Sequence, residues 1–109
     1  MIKIIDFYAD WCVPCKQYDD MLPRLTKEYG FELEKVNVEF NKDIADQYEV
    51  SGLPTLVVVQ DDEIILGTIV GAYPEKRLRE KLAEIIGEDL TKYTFEVPKI
   101  VEDQKERFL

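Results

Sequence analysis

Residues Ile2–Tyr8 (IKIIDFY) and Thr55–Gln60 (TLVVVQ) are apolar at consecutive positions, and nothing else in the chain restricts its fold so tightly. Successive side chains of a strand point to opposite faces, so strands apolar on both faces need cover on both. Between them, Tyr18, Met21, Leu22, Leu25 and Tyr29 recur at helical spacing. That spacing predicts an amphipathic helix over residues 12–29, kinked at Pro23 and stopped at Gly30. Residues 31–38 read as a strand and 43–48 as a short helix. Pro54 precedes the second buried strand, and Asp61-Asp62 turns the chain into an antiparallel partner over 63–70, ending at Gly71. A last helix spans 74–86, with Pro74 at its start, Leu78, Leu82, Ile85 and Ile86 on one face, and Gly87 as its stop. The order β-α-β-α-β-β-α specifies an α/β fold: a central mixed sheet of four strands flanked by helices, the first two strands parallel neighbours.

A chain of 109 residues holds one domain. Its body is expected over residues 1–87, with 88–109 as an extension docked on the same domain. At 46% apolar and 34% charged residues, the composition is that of a folded, well-solvated protein. The net charge of −9 is shared evenly along the chain and repels phosphate backbones and anionic lipid. Nucleic acid and membrane are therefore not expected partners. There is no histidine, which removes histidine-activated nucleophiles and most zinc or haem ligation. Lys3 and Asp6 interrupt the first apolar run, so it is no secretory core, and the expectation is a cytoplasmic protein starting at Met1.

The two cysteines, Cys12 and Cys15, form a CxxC directly after the first strand and at the start of the first helix. Unpaired N–H groups there stabilise a thiolate, and one helical turn brings the sulfurs within disulfide reach. Exchange through a mixed disulfide needs one exposed thiol of lowered pKa and a second to release the product. Position assigns Cys12 as nucleophile and Cys15 as resolving thiol. Pro14 between them stiffens the helix start, which favours the reduced pair. Half of a metal site is the bland alternative; with no histidine and two cysteines it would need a dimer or carboxylates to complete four ligands. An incidental pair is the remaining alternative. A carboxylate at Asp6, inside an apolar strand, is costly to bury, and desolvation raises its pKa toward that of a proton acceptor working near neutrality.

The string DFYADWCVPCK, followed by Gly52-Leu53-Pro54-Thr55 and then Val70-Gly71-Ala72-Tyr73, resembles the thioredoxin family over residues 2–86. The resemblance implies a thioredoxin-like fold and a thiol–disulfide oxidoreductase that reduces protein disulfides, is re-reduced by a thioredoxin-reductase-like donor, and acts as a monomer without a bound cofactor. It implies that Trp11 lends apolar surface to substrates beside Pro14, and that Pro54, flanked by Leu53 and Thr55, is a cis-proline facing the disulfide. It further implies that Asp6 serves Cys15 in proton transfer with Lys35 beside it, and that Gly71, Ala72 and Tyr73 flank the substrate groove. Lys16 reads as a solvated helix charge.

The sequence departs from the family in three places. The βα unit that usually precedes the Asp6 strand is absent, which leaves one sheet edge open. The helix proline expected soon after the resolving cysteine is Asp20, with Pro23 about one turn later. Nothing in the family pattern accounts for 88–109, where 93–97 alternates like a strand and Ile100, Val101, Gln104 and Phe108 share a helical face. The tail either folds back over surface left open by the missing unit or stays disordered or partner-binding. Two functional alternatives stand beside reduction: a binding module that uses the same groove, and an oxidase or isomerase.

Overall fold

The computed structural model describes residues 1–87 and Leu90. Its elements are β1 (Ile2–Tyr8), α1 (Val13–Lys16), α2 (Tyr18–Tyr29), β2 (Glu32–Asn37), α3 (Lys42–Gln47), β3 (Thr55–Gln60), β4 (Ile64–Val70) and α4 (Glu75–Ile86). The sheet runs β2-β1-β3-β4. β1 and β2 are parallel, and the other pairs are antiparallel. The expected mixed sheet of four strands is present, with both buried strands at its centre.

Alternation along β1 and β3 divides the core between two faces. Ile2 and Ile4, with Leu56, Val58 and Ile69, pack against Tyr18, Leu22 and Leu25 of α2 and against Leu78 and Leu82 of α4. Ile5 and Phe7, with Val57 and Val59, pack against Val36 and against Ala45 of α3. Asp6 falls between Ile5 and Phe7 and is only 2% exposed. Strand β2 is an edge of the sheet, and most of its residues are exposed or half-buried.

The helix expected over 12–29 is two helices. Gln17 N–H donates to Pro14 O at 3.2 Å, a tight turn that closes α1, and α2 starts afresh at Tyr18. The discontinuity is thus at Gln17, and α2 continues across Pro23, where a kink was expected. A proline inside a helix deprives the carbonyl four residues back of its partner; Pro23 and Asp19 are both exposed, so water can take that role. The remaining elements match the sequence reading to within a residue or so at each end, where hydrogen-bond ladders fray. Gly30 (φ 76°) and Gly87 (φ 74°) terminate α2 and α4 in the left-handed region, as expected of helix-stop glycines.

The hairpin loop has Asp61 and Asp62 at φ 55° and 60°, a left-handed pair that matches the twist of the flanking strands. The N-terminal ammonium of Met1 lies 2.8 Å from Asp61, and Lys3 lies 2.9 Å from Asp62. No described helix is long and apolar enough to cross a membrane. The strand and helix expected over 93–97 and 100–108 lie outside the described residues.

Candidate functional site

The site forms where β1 ends. Cys12 N–H donates to Ala9 O at 3.1 Å, which turns the chain out of the strand, and Cys12 then caps α1. Cys12 Sγ accepts from Cys15 N–H at 3.2 Å. The two cysteines are joined in a disulfide with Cα atoms 5.3 Å apart, well within the usual span. The long helix expected behind Cys12 is here the four-residue α1, so the local Cys15 N–H is the concrete donor to the sulfur. Cys12 was expected to be the exposed thiol, yet in this oxidised state both cysteines are 4% exposed. Trp11 (65%) and Val13 (72%) on either side of Cys12 are exposed instead.

Leu53, from the loop before β3, packs with Tyr8 and Val38 against Ala9, Cys12 and Cys15. The Leu53–Pro54 bond is cis, as the family resemblance implies. Pro54 is buried, and its carbonyl accepts from Gly71 N–H at 2.8 Å, which ties the second loop to the first. Gly71 takes φ 103°, a conformation that side chains rarely adopt. Thr55 is buried, and its hydroxyl donates to Gly52 O. Ala72 and Tyr73 are half-buried against the core below α2 and α4. Pro14 and Lys16 are exposed on α1, and Lys16 Nζ donates to Asp10 O at 3.0 Å.

Asp6 pairs in register with Lys35 of β2 and Leu56 of β3. Among the described residues its Oδ1 has no hydrogen-bond partner. Burial pushes its pKa from an ordinary 3.8 up to about 6; the Lys35 charge pulls it down and that of Asp19 pushes it further up. The Lys35 ammonium itself lies 3.3 Å from Asp19 and 4.6 Å from the Tyr8 ring centre. It therefore acts on Asp6 through its field.

Two further residues belong to the site. Trp11 Nε1 donates to Glu39 Oε2 at 2.7 Å, which orients the indole over a groove of about 590 Å³ lined also by Val38, Val50, Gly52 and Leu53. Tyr18, read from sequence as a core position, donates its hydroxyl to Gly71 O at 3.1 Å and accepts from Tyr73 N–H at 2.9 Å. The available signal was the residue type: a tyrosine at a core position needs a partner for its hydroxyl. Glu39 left no such signal, being one acid among many.

Against known proteins, the thioredoxin family's sequence model matches residues 1–84. The thioredoxin of Bacillus subtilis (strain 168) is 38% identical over 81 residues, covering 72% of this chain and 77% of that protein. A mitochondrial thioredoxin of Saccharomyces cerevisiae, in its oxidised form, superposes with a TM-score of 0.68 at 34% identity, covering 76% of this chain and 77% of that one. A mutant thioredoxin from Halobacterium salinarum gives 0.70 at 32%, covering 89% and 78%. With its CxxC pair closed as a disulfide at the end of the first strand, the chain belongs to the thioredoxin family and is a thiol–disulfide oxidoreductase, a reductase of protein disulfides.

Proposed function

We propose that Cys12 is the attacking thiol, Cys15 the resolving thiol and Asp6 the group that takes the Cys15 proton. The Cys12 thiolate attacks one sulfur of a substrate disulfide; that bond breaks, and one substrate thiolate leaves to be protonated. Cys15, deprotonated by Asp6, then attacks Cys12 Sγ, closes the Cys12–Cys15 disulfide and releases the second substrate sulfur as a thiol. Two electrons pass from the dithiol to the substrate, and a reductase returns them. An acid with its pKa near 6 suits this task, because it is an acceptor at neutral pH and still basic enough to take a thiol proton. Lys35 tunes that acid through its charge.

Substrate docks across Trp11 and Pro14 on one side, Leu53-Pro54-Thr55 in the middle and Gly71–Tyr73 on the other. The observation that carries this reading is the Cys12–Cys15 disulfide with Leu53 of the cis-proline loop packed against it. The protein acts as a monomer in the cytoplasm, draws electrons from a thioredoxin-reductase-like donor, and has neither nucleic acid nor membrane among its partners. The even acidic charge of −9 supports the last point, since it repels both.

Single-cysteine variants test the roles. With insulin as substrate, Cys15→Ser should accumulate a mixed disulfide through Cys12 that non-reducing electrophoresis resolves, and Cys12→Ser should accumulate none. An adduct in Cys12→Ser and none in Cys15→Ser would reverse the assignment.

A further inference from the structure

The loop Gly71–Tyr73 lies outside the helices and strands, and three hydrogen bonds set its position. Gly71 N–H is held by the carbonyl of Pro54, and the Tyr18 hydroxyl bridges the loop from below, donating to Gly71 O and accepting from Tyr73 N–H. Tyr18 is the first residue of α2, directly after the Gln17 break and three residues beyond Cys15. Its ring is 1% exposed and wedged into the main core, so the hydroxyl is presented from a fixed base. A rotatable O–H that is donor and acceptor at once, on a locked ring, joins two backbone groups of one loop into a single rigid turn.

We propose that Tyr18 is a positioning residue for substrate: it locks the Gly71–Tyr73 wall of the docking groove against the helix pair that carries the cysteines. This rests on the groove assigned under Proposed function. Tyr18 touches neither substrate nor sulfur in this role. It keeps the loop in the conformation in which an extended polypeptide is received, so its effect falls on protein substrates. A small disulfide needs no such wall.

Tyr18→Phe keeps the buried ring and deletes the bridge, leaving Gly71 O and Tyr73 N–H without this partner. The test compares wild type and variant on insulin and on a small aromatic disulfide such as 5,5′-dithiobis(2-nitrobenzoate). The expected result is a fall of about tenfold in the ratio of insulin to small-disulfide kcat/KM, expressed as a raised KM for insulin, with faster amide exchange at Tyr73. Equal changes on both substrates, or an unchanged ratio, would overturn the proposal and leave the oxidoreductase reading intact. A wild-type protein that reduced neither disulfide would instead overturn that reading, and this one with it.

Discussion

Replacing Asp6 by Asn should stabilise the protein, and by an amount that depends on pH in a set direction. The folded carboxyl, with its pKa raised from 3.8 to about 6, holds its proton more tightly than the unfolded one. Below pH 3.8 both states are protonated and the site costs nothing through ionisation. As pH rises through the window from 3.8 to about 6, the unfolded chain ionises freely while the folded chain must ionise a group that is 2% exposed. At about 1.4 kcal/mol per tenfold in proton affinity, folding above pH 6 is opposed by about 3 kcal/mol. The Asn side chain carries no such penalty. Urea unfolding of the oxidised proteins from pH 3.5 to 8 should therefore show the stability of Asp6→Asn, relative to wild type, growing by about 3 kcal/mol toward alkaline pH. Any constant offset from swapping a neutral carboxyl for an amide cancels in that comparison. A difference that stays flat with pH, or that grows toward acid, would refute the claim that desolvation governs this carboxyl.

Gly67→Ala should cost about 1–3 kcal/mol, because the added Cβ would stand 2.9 Å from Cγ1 and Cγ2 of Ile85, a β-branched side chain with little freedom to move. Thermal unfolding should show that loss and its partial recovery on adding Ile85→Ala. Arg79→Ala should cost about 1–2 kcal/mol at neutral pH, since the guanidinium binds Glu28 at 2.9 Å, Glu75 at 2.8 Å and Tyr29 Oη at 2.7 Å and so fastens α4 to α2. Arg24 and Arg79 hold Glu75 at about 2, below its ordinary 4.5, so the cost in urea titrations should shrink as pH falls through that window.

What the sequence disclosed and what it hid follow from the range of the forces involved. β1 and β3 were legible because a strand buried on both faces must be apolar at consecutive positions, and helix α4 because its buried face repeats at helical spacing. The break at Gln17 was not legible. Residues 12–16 carry too few apolar positions to show whether their helix continues in line with the next, and the conspicuous Pro23 lies within α2, not at the break. In the site, the CxxC spacing and the acid inside β1 were local signals and placed Cys12, Cys15 and Asp6. The cis bond before Pro54 came from family likeness, because strand-start prolines look the same in sequence whichever isomer they adopt. Tyr18 and Glu39 escaped notice because their partners, Gly71, Tyr73 and Trp11, are distant along the chain and meet them only after folding. The short reach of α1 and the burial of Cys12 are likewise tertiary facts.

The central claim is that the Cys12–Cys15 pair works as a reductant of protein disulfides, and its equilibrium reduction potential measures that most directly. Titration in dithiothreitol redox buffers, followed by the fluorescence of Trp11 beside the pair, should give a midpoint near the thioredoxin value of about −270 mV. A midpoint at about −120 to −180 mV, the range of disulfide oxidases and isomerases, would contradict it.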